Sequence, residues 1–244
     1  MSQLIFDRYN NIVSLGCMCS TALYLRKIGV RSKSCFFDWI NVDSFKDVIY
    51  LIDDNFTDCL NLKFLEQNFD ESPHIITNTK YKIDFVHLFN SKISFHRQYK
   101  SVKDRLERSI KNFNDSLKDS CLLVYYARTI DDVNWIQNHQ KDIISFCDKH
   151  KCDIYFILNF EPNHHFVLKK IVIPQNNIHK PFGGGVSFPF TDTEKLDNFL
   201  ISHFDESKRN KNLRFKEKKS VFKKIKNAIL RAGKNKLIVG EKHE

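Results

Sequence analysis

A few residues of this 244-residue chain have the types and spacing that acyl chemistry uses. The run Ile12-Val13-Ser14-Leu15-Gly16-Cys17-Met18-Cys19-Ser20-Thr21-Ala22-Leu23-Tyr24-Leu25-Arg26 reads as a short strand, a tight turn and a helix, with two thiols at the helix N-terminus. Backbone N–H groups there lack intrahelical partners and the helix dipole is positive, so a thiolate is favoured. Either Cys17 or Cys19 could serve as a nucleophile, and position alone does not rank them. A cysteine nucleophile needs a base, most often histidine. His87, at the end of the strand-like run Asp84-Phe85-Val86-His87, is the leading choice. His164 and His165, after the polar turn Glu161-Pro162-Asn163, are its rivals, with His96 a weaker one. Asp38 lies between Phe37 and Trp39; it could orient a histidine or cap a local turn. Arg128 directly follows a strong apolar run, and Arg105 and Arg108 lie three apart on a helix face. A fixed guanidinium near a cleft suits phosphate, carboxylate or an oxyanion. Arg128, Arg105 and Trp39 are the substrate-binding candidates.

The elements that must position these groups follow from periodicity. Residues 11–16 read as a buried strand and 17–29 as a helix closed by Gly29. Asp43 or Ser44 caps a helix running to about Asp54, and a short helix is expected at Leu62–Phe69. Strands are expected at His74–Thr77 and Ile83–Leu88. Val102, Leu106, Ile110, Phe113 and Leu117 make one apolar stripe, so 101–117 is an amphipathic helix. Cys121–Ala127 and Asp153–Phe160 are nearly continuous apolar runs, as in central parallel strands, with a single helix from Asp131 or Asp132 to His150 between them. Val167–Ile173 is a further strand, and 192–204 a further helix. Strands alternating with helices imply an α/β fold: a three-layer sandwich around a mostly parallel, doubly wound sheet, with ligands at the carboxyl ends of the strands. Gly16–Cys19, His87, Arg128 and Asn159–Glu161 all fall at such ends.

Composition narrows the function classes. No apolar run is long enough for a transmembrane helix, and the first residues lack the pattern of a signal peptide, so a cytoplasmic location is expected. Seven cysteines in such a protein argue against a disulfide framework. Cys147, His150 and Cys152 lack the second pair that a zinc site would need, so neither a metal nor a cofactor is expected. Gly183-Gly184-Gly185 has neither the Lys-Ser/Thr nor the following helix of a phosphate-binding loop and reads as a wide loop. The net charge of +10 is a tail property: residues 207–236 hold thirteen Lys/Arg and one acid, or +12, leaving −2 elsewhere. Two regions are expected, an α/β domain over 1–206 and a basic tail over 207–244. In the tail Val221, Phe222, Ile225, Ala228 and Ile229 form a stripe flanked by lysines, a basic amphipathic helix suited to an anionic membrane surface or to its own domain. Nucleic acid is not an expected partner, because the rest of the chain offers no basic face or stacking motif.

Ser14-Leu15-Gly16-x-x-Cys19-x-x-Ala22-x-x-Leu25-Arg26, followed by Gly29-Val30-Arg31-x-x-Ser34 and Phe36-Phe37-Asp38-Trp39-Ile40, resembles a bacterial family of unknown function labelled papain-like cysteine peptidases. The His87 strand, the helix with Arg105 and Arg108, and the strand ending in Arg128 extend the resemblance over about residues 11–130. It selects Cys19 over Cys17 and implies a cysteine nucleophile with a histidine partner. The β/α order here is more similar to doubly wound SGNH-type or flavodoxin-like proteins than to papain. Hydrolysis or acyl transfer is therefore implied, on a peptide or a glycan, including lipid-linked ones. The resemblance also implies a link to surface-polysaccharide biosynthesis, as an enzyme or as a non-catalytic accessory protein; the basic tail would hold either on the inner face of the membrane.

Overall fold

The two apolar runs pair with each other at the centre of a parallel sheet. The computed structural model describes residues 6–17, 19–67, 75–86, 88–90, 92–172, 181–182, 186–187, 193–205 and 207. The strands are β1 (Asn11–Ser14), the antiparallel set β2 (Asn41–Val42), β3 (Leu65–Gln67), β4 (Ile76–Asn78) and β5 (Ile83–Phe85), then β6 (Cys121–Ala127), β7 (Cys152–Leu158) and β8 (Lys169–Val172), with a two-stranded pair β9 (Pro181–Phe182) and β10 (Val186–Ser187). The helices are α1 (Cys19–Ile28), α2 (Phe45–Asp53), α3 (Phe95–Leu117), α4 (Ile130–Asn138), α5 (Gln140–His150) and α6 (Glu194–Ser202). By contact the chain divides into Met1–Arg214 and Phe215–Glu244. The second unit and the basic stripe lie outside the described residues.

The main sheet has the order β1-β6-β7-β8, every pair parallel. Every residue of β1, β6 and β7 is buried, which is why β6 and β7 are apolar nearly throughout, without alternation. Successive β7 side chains point to opposite faces and meet different helices. The Tyr155 ring lies 4.4 Å from Phe199 of α6, and the Phe156 ring 5.0 Å from Phe45 of α2. Among the described strands the order never reverses, so the crossover reversal of a doubly wound sheet is not found there. The protein is thus mixed α/β with a mostly parallel sheet.

The strands between α1 and α3 belong to a separate antiparallel sheet of order β2-β5-β4-β3. Four residues join β4 to β5, too few for a parallel crossover, so a hairpin is obligatory. The expected helix at 62–69 is instead a 3-10 turn over Leu62–Phe64 followed by β3. Helix α3 begins at Phe95 rather than 101 because Phe95 and Tyr99, rings 5.5 Å apart, extend the stripe of Val102 and Leu106 backward at helical spacing. The helix expected over 131–150 is two, parted at His139, which stacks on Trp135 at 4.2 Å. Gly29 closes α1 with φ +81°, its role as expected.

Candidate functional site

The β1–α1 connection is a left-handed turn. Ladder pairing continues one residue past β1, where the Leu15 N–H donates to the Val124 carbonyl at 2.9 Å. The chain then reverses through Gly16 at φ +88° and Cys17 at φ +64°. A Cβ on Gly16 would stand 3.5 Å from the Ile40 carbonyl oxygen and 3.7 Å from Phe37, so the segment carrying Phe37 and Ile40 packs directly on the turn. Left-handed backbone at a non-glycine residue costs about 1–2 kcal/mol, and Cys17 bears it here. Helix α1 then begins at Cys19.

The two thiols have different surroundings. Cys17 is 2% exposed, and the Arg128 backbone N–H donates to its sulfur. Burial pushes the Cys17 thiol up to about 12; the Arg128 guanidinium opposes this, while Asp132 and Asp43 add to it. Cys19 is half-buried. Burial pushes its thiol above the ordinary value, with its own backbone N–H opposing. The direction is opposite to that expected from the helix terminus alone, because loss of water outweighs the terminal N–H. Of the seven cysteines, Cys19 and Cys147 are partly accessible and the other five are buried.

The neighbouring strand ends meet this turn. Arg128 follows β6 and Asn159 follows β7. The Asn159 N–H donates to the Ala127 carbonyl and its amide Nδ2 to the Arg128 carbonyl, both at 3.0 Å. The Arg128 guanidinium donates to Asp43 at 3.1 Å. The ends of β1, β6 and β7 therefore lie side by side at the carboxyl edge of the sheet. His164 and His165 are exposed in the loop after β7. Their backbone is held by Gln137 and Gln140, the His165 carbonyl accepting from Gln140 at 3.0 Å. His87, Met18 and Gly183–Gly185 lie outside the described residues.

Asp38 serves its own loop. The carboxylate is buried and accepts from the Arg31 guanidinium, the Ser34 hydroxyl at 3.1 Å and the Cys35 N–H at 2.7 Å. Burial raises the Asp38 carboxyl above its ordinary range, and Arg31 and the two hydrogen bonds offset part of that. These partners fix the 3-10 turn Phe36–Trp39, and with it the half-buried Trp39. Arg105 is exposed on α3 and donates to the Leu88 carbonyl at 2.9 Å, which ties the segment after β5 to that helix. His150 turns to Asp53 at 3.2 Å, and the Cys147 and Cys152 thiols meet each other. Among the described residues no group of three or more His, Cys, Asp or Glu could hold a metal ion.

Two features of the structure carry little or no signal in the sequence. Asp132 reads as an ordinary acidic residue in a first helical turn, yet it is buried and accepts from the Phe45 N–H at 2.8 Å and the Tyr125 hydroxyl at 2.7 Å. Burial raises its carboxyl to about 6, against these two hydrogen bonds. Only a spacing argument, an acid at the third residue after the Thr129 cap, points to it. A groove of about 500 Å³ lies elsewhere, between residues 56–62 and α3, and its lining includes none of the strand ends.

The segment that builds the turn, the Asp38 loop and the strand ending in Arg128 lies within one match. The family described as "Putative papain-like cysteine peptidase (DUF1796)" matches residues 10–134, half of the chain. The chain belongs to this family. The match runs from β1 into α4 and so includes Cys19, Asp38, Trp39, Arg105 and Arg128, and excludes His164 and His165. Comparison with curated proteins and with solved structures returned no match.

Proposed function

We propose that the protein is a cysteine-dependent hydrolase of the peptidase type, with Cys19 as its nucleophile. The observation that carries this reading is the contrast between the two thiols: Cys19 heads α1 at the carboxyl edge of the sheet and is partly accessible, whereas Cys17 is sealed beneath the turn. In this reading the parallel sheet is the middle of three layers and its carboxyl edge carries the chemistry. Burial holds Cys19 as a thiol at rest, so a base must take its proton as substrate binds. His87 is the first choice for that base, with His164 and His165 as the alternatives. The thiolate attacks the scissile carbonyl, and unpaired N–H groups of the first turn of α1 stabilise the oxyanion. The same base then protonates the leaving amine, and water releases the acyl group. Asp38 shapes the pocket through its turn, and Trp39, Arg128 and Arg105 contact substrate.

Transfer of the acyl group to a glycan acceptor is the alternative end of the same path. A basic tail resting on an anionic membrane would suit lipid-linked substrates. Among the described residues no helix is long and apolar enough to cross a membrane. The test is turnover of an acyl-thioester or peptide pool by purified Cys19→Ala and Cys17→Ala proteins. Loss in the first with retention in the second supports the assignment, and equal loss in both removes it.

A further inference from the structure

Arg128 stands at the carboxyl end of β6 with its side chain 42% exposed, and its ion-pair partner Asp43 is 79% exposed. A pair this exposed contributes little and exchanges easily with solvent or ligand. Asp43 also shows where a carboxylate can sit: 3.1 Å from the Arg128 Nη2. The backbone beneath is fixed from two sides, by the Arg128 N–H to the Cys17 sulfur and by Asn159 Nδ2 to the Arg128 carbonyl. Two large apolar side chains are exposed in the segments that follow, one two residues after Arg128 and one next to Asn159. Ile130 is 40% exposed just after β6, and Phe160 is 41% exposed just after Asn159. Apolar groups exposed just past the ends of β6 and β7, neighbouring strands of which the first leads into this guanidinium, match an anion with an apolar substituent beside it.

We infer that Arg128, Ile130 and Phe160 form a subsite for the free C-terminal carboxylate of a peptide that ends in an apolar residue, with the carboxylate displacing Asp43 from Arg128. The choice of a peptide rests on the cysteine peptidase reading. The guanidinium fork binds a terminal carboxylate through two parallel N–H donors, and the last side chain covers Ile130 and Phe160. Asp43 then acts as an internal competitor: it neutralises Arg128 while the subsite is empty and leaves when substrate enters.

The test measures binding in the full chain carrying Cys19→Ala, so that turnover does not enter. A short oligoalanine peptide ending in phenylalanine, labelled with fluorescein at its N-terminus, is titrated as free acid and as amide by fluorescence anisotropy. The free acid of the same peptide ending in glycine is the third probe. The phenylalanine acid is expected to bind at least about tenfold more tightly than the amide or the glycine-ended acid. Arg128→Gln should bring the acid down to the amide. Asp43→Asn, which leaves Arg128 intact, should tighten the acid a few-fold without changing the amide. Equal binding of acid and amide, no binding of either, or an acid preference that survives Arg128→Gln would overturn the inference. Displacement by inorganic phosphate at far lower concentration than by acetate would overturn it in favour of a phosphoryl ligand. Acid-selective binding to the Cys19→Ala protein together with no product from the wild type would leave this subsite standing and remove the hydrolase reading.

Discussion

Replacing Asp132 with Asn should change how stability depends on pH. The Asp132 carboxyl is 3% exposed and is raised from 3.8 to about 6, chiefly by burial. Its folded pKa is therefore above its unfolded one. Between those values the folded protein keeps a proton that the unfolded chain has released. The contribution to stability is then complete below 3.8 and is lost as pH rises through about 6. A rise of roughly two pKa units corresponds to about 3 kcal/mol. Asn cannot ionise, yet it fits the site. Its carbonyl can accept from the Phe45 N–H, and the Tyr125 hydroxyl can turn to accept from its amide. Urea unfolding of both proteins at a series of pH values from acid to neutral isolates this group, since other titrations cancel in the difference. Stability of Asp132→Asn relative to wild type should grow by about 3 kcal/mol over that range. A flat difference, or one that moves in favour of wild type with rising pH, would refute the argument that burial controls this carboxyl.

The other predictions concern the frame around the turn. Arg31→Met leaves the buried Asp38 carboxylate without its cation, and the side chains are 4% and 2% exposed, so a loss of about 3–5 kcal/mol is expected. Chemical denaturation reads it, and a loss below about 1 kcal/mol would mean that Ser34 and Cys35 suffice to hold Asp38. Thr21 lies fully buried in α1 with a hydroxyl that has no hydrogen-bond partner among the described residues. Thr21→Val keeps the shape and removes that group, so it should stabilise by about 1 kcal/mol; a thermal shift downward would contradict it.

Much of the parallel sheet was legible because its cause is local. Cys121–Ala127 and Cys152–Leu158 are apolar nearly throughout, and burial on both faces leaves no alternation to misread. The α3 stripe was equally plain at its centre, though aromatic residues at Phe95 and Tyr99 carried it further back. The β4–β5 hairpin was harder, since strands of three residues give no period to measure, and its turn uses Lys82 at φ +53° in place of glycine. The end of α5 at His150 falls where the sequence puts it, although its left-handed cap is Lys151 at φ +51° and not a glycine.

At the site, residue types were readable and environments were not. Cys19, Arg128 and Asn159 could be placed at strand or helix ends, and the structure joins Arg128 and Asn159 to the Cys17 turn. The thiol shift ran the other way, because burial is a property of the packed chain and helix position is only one contribution to it. The ion pair of Asp38 with Arg31 spans seven residues of irregular chain, where no periodicity pairs them. Asp132 reached the vicinity of Cys17 only through the packing of α4 against β6 and α2.

The most direct test of the account is the site of covalent acyl capture. Wild-type protein would be treated with an acyl-thioester or a peptidyl electrophile, digested, and mapped by mass spectrometry, with Cys19→Ser in parallel. The account predicts one adduct, on the peptide carrying Cys19, absent in Cys19→Ser and present in Cys17→Ala. An adduct on Cys17 or Cys147, or one that persists in Cys19→Ser, would contradict it.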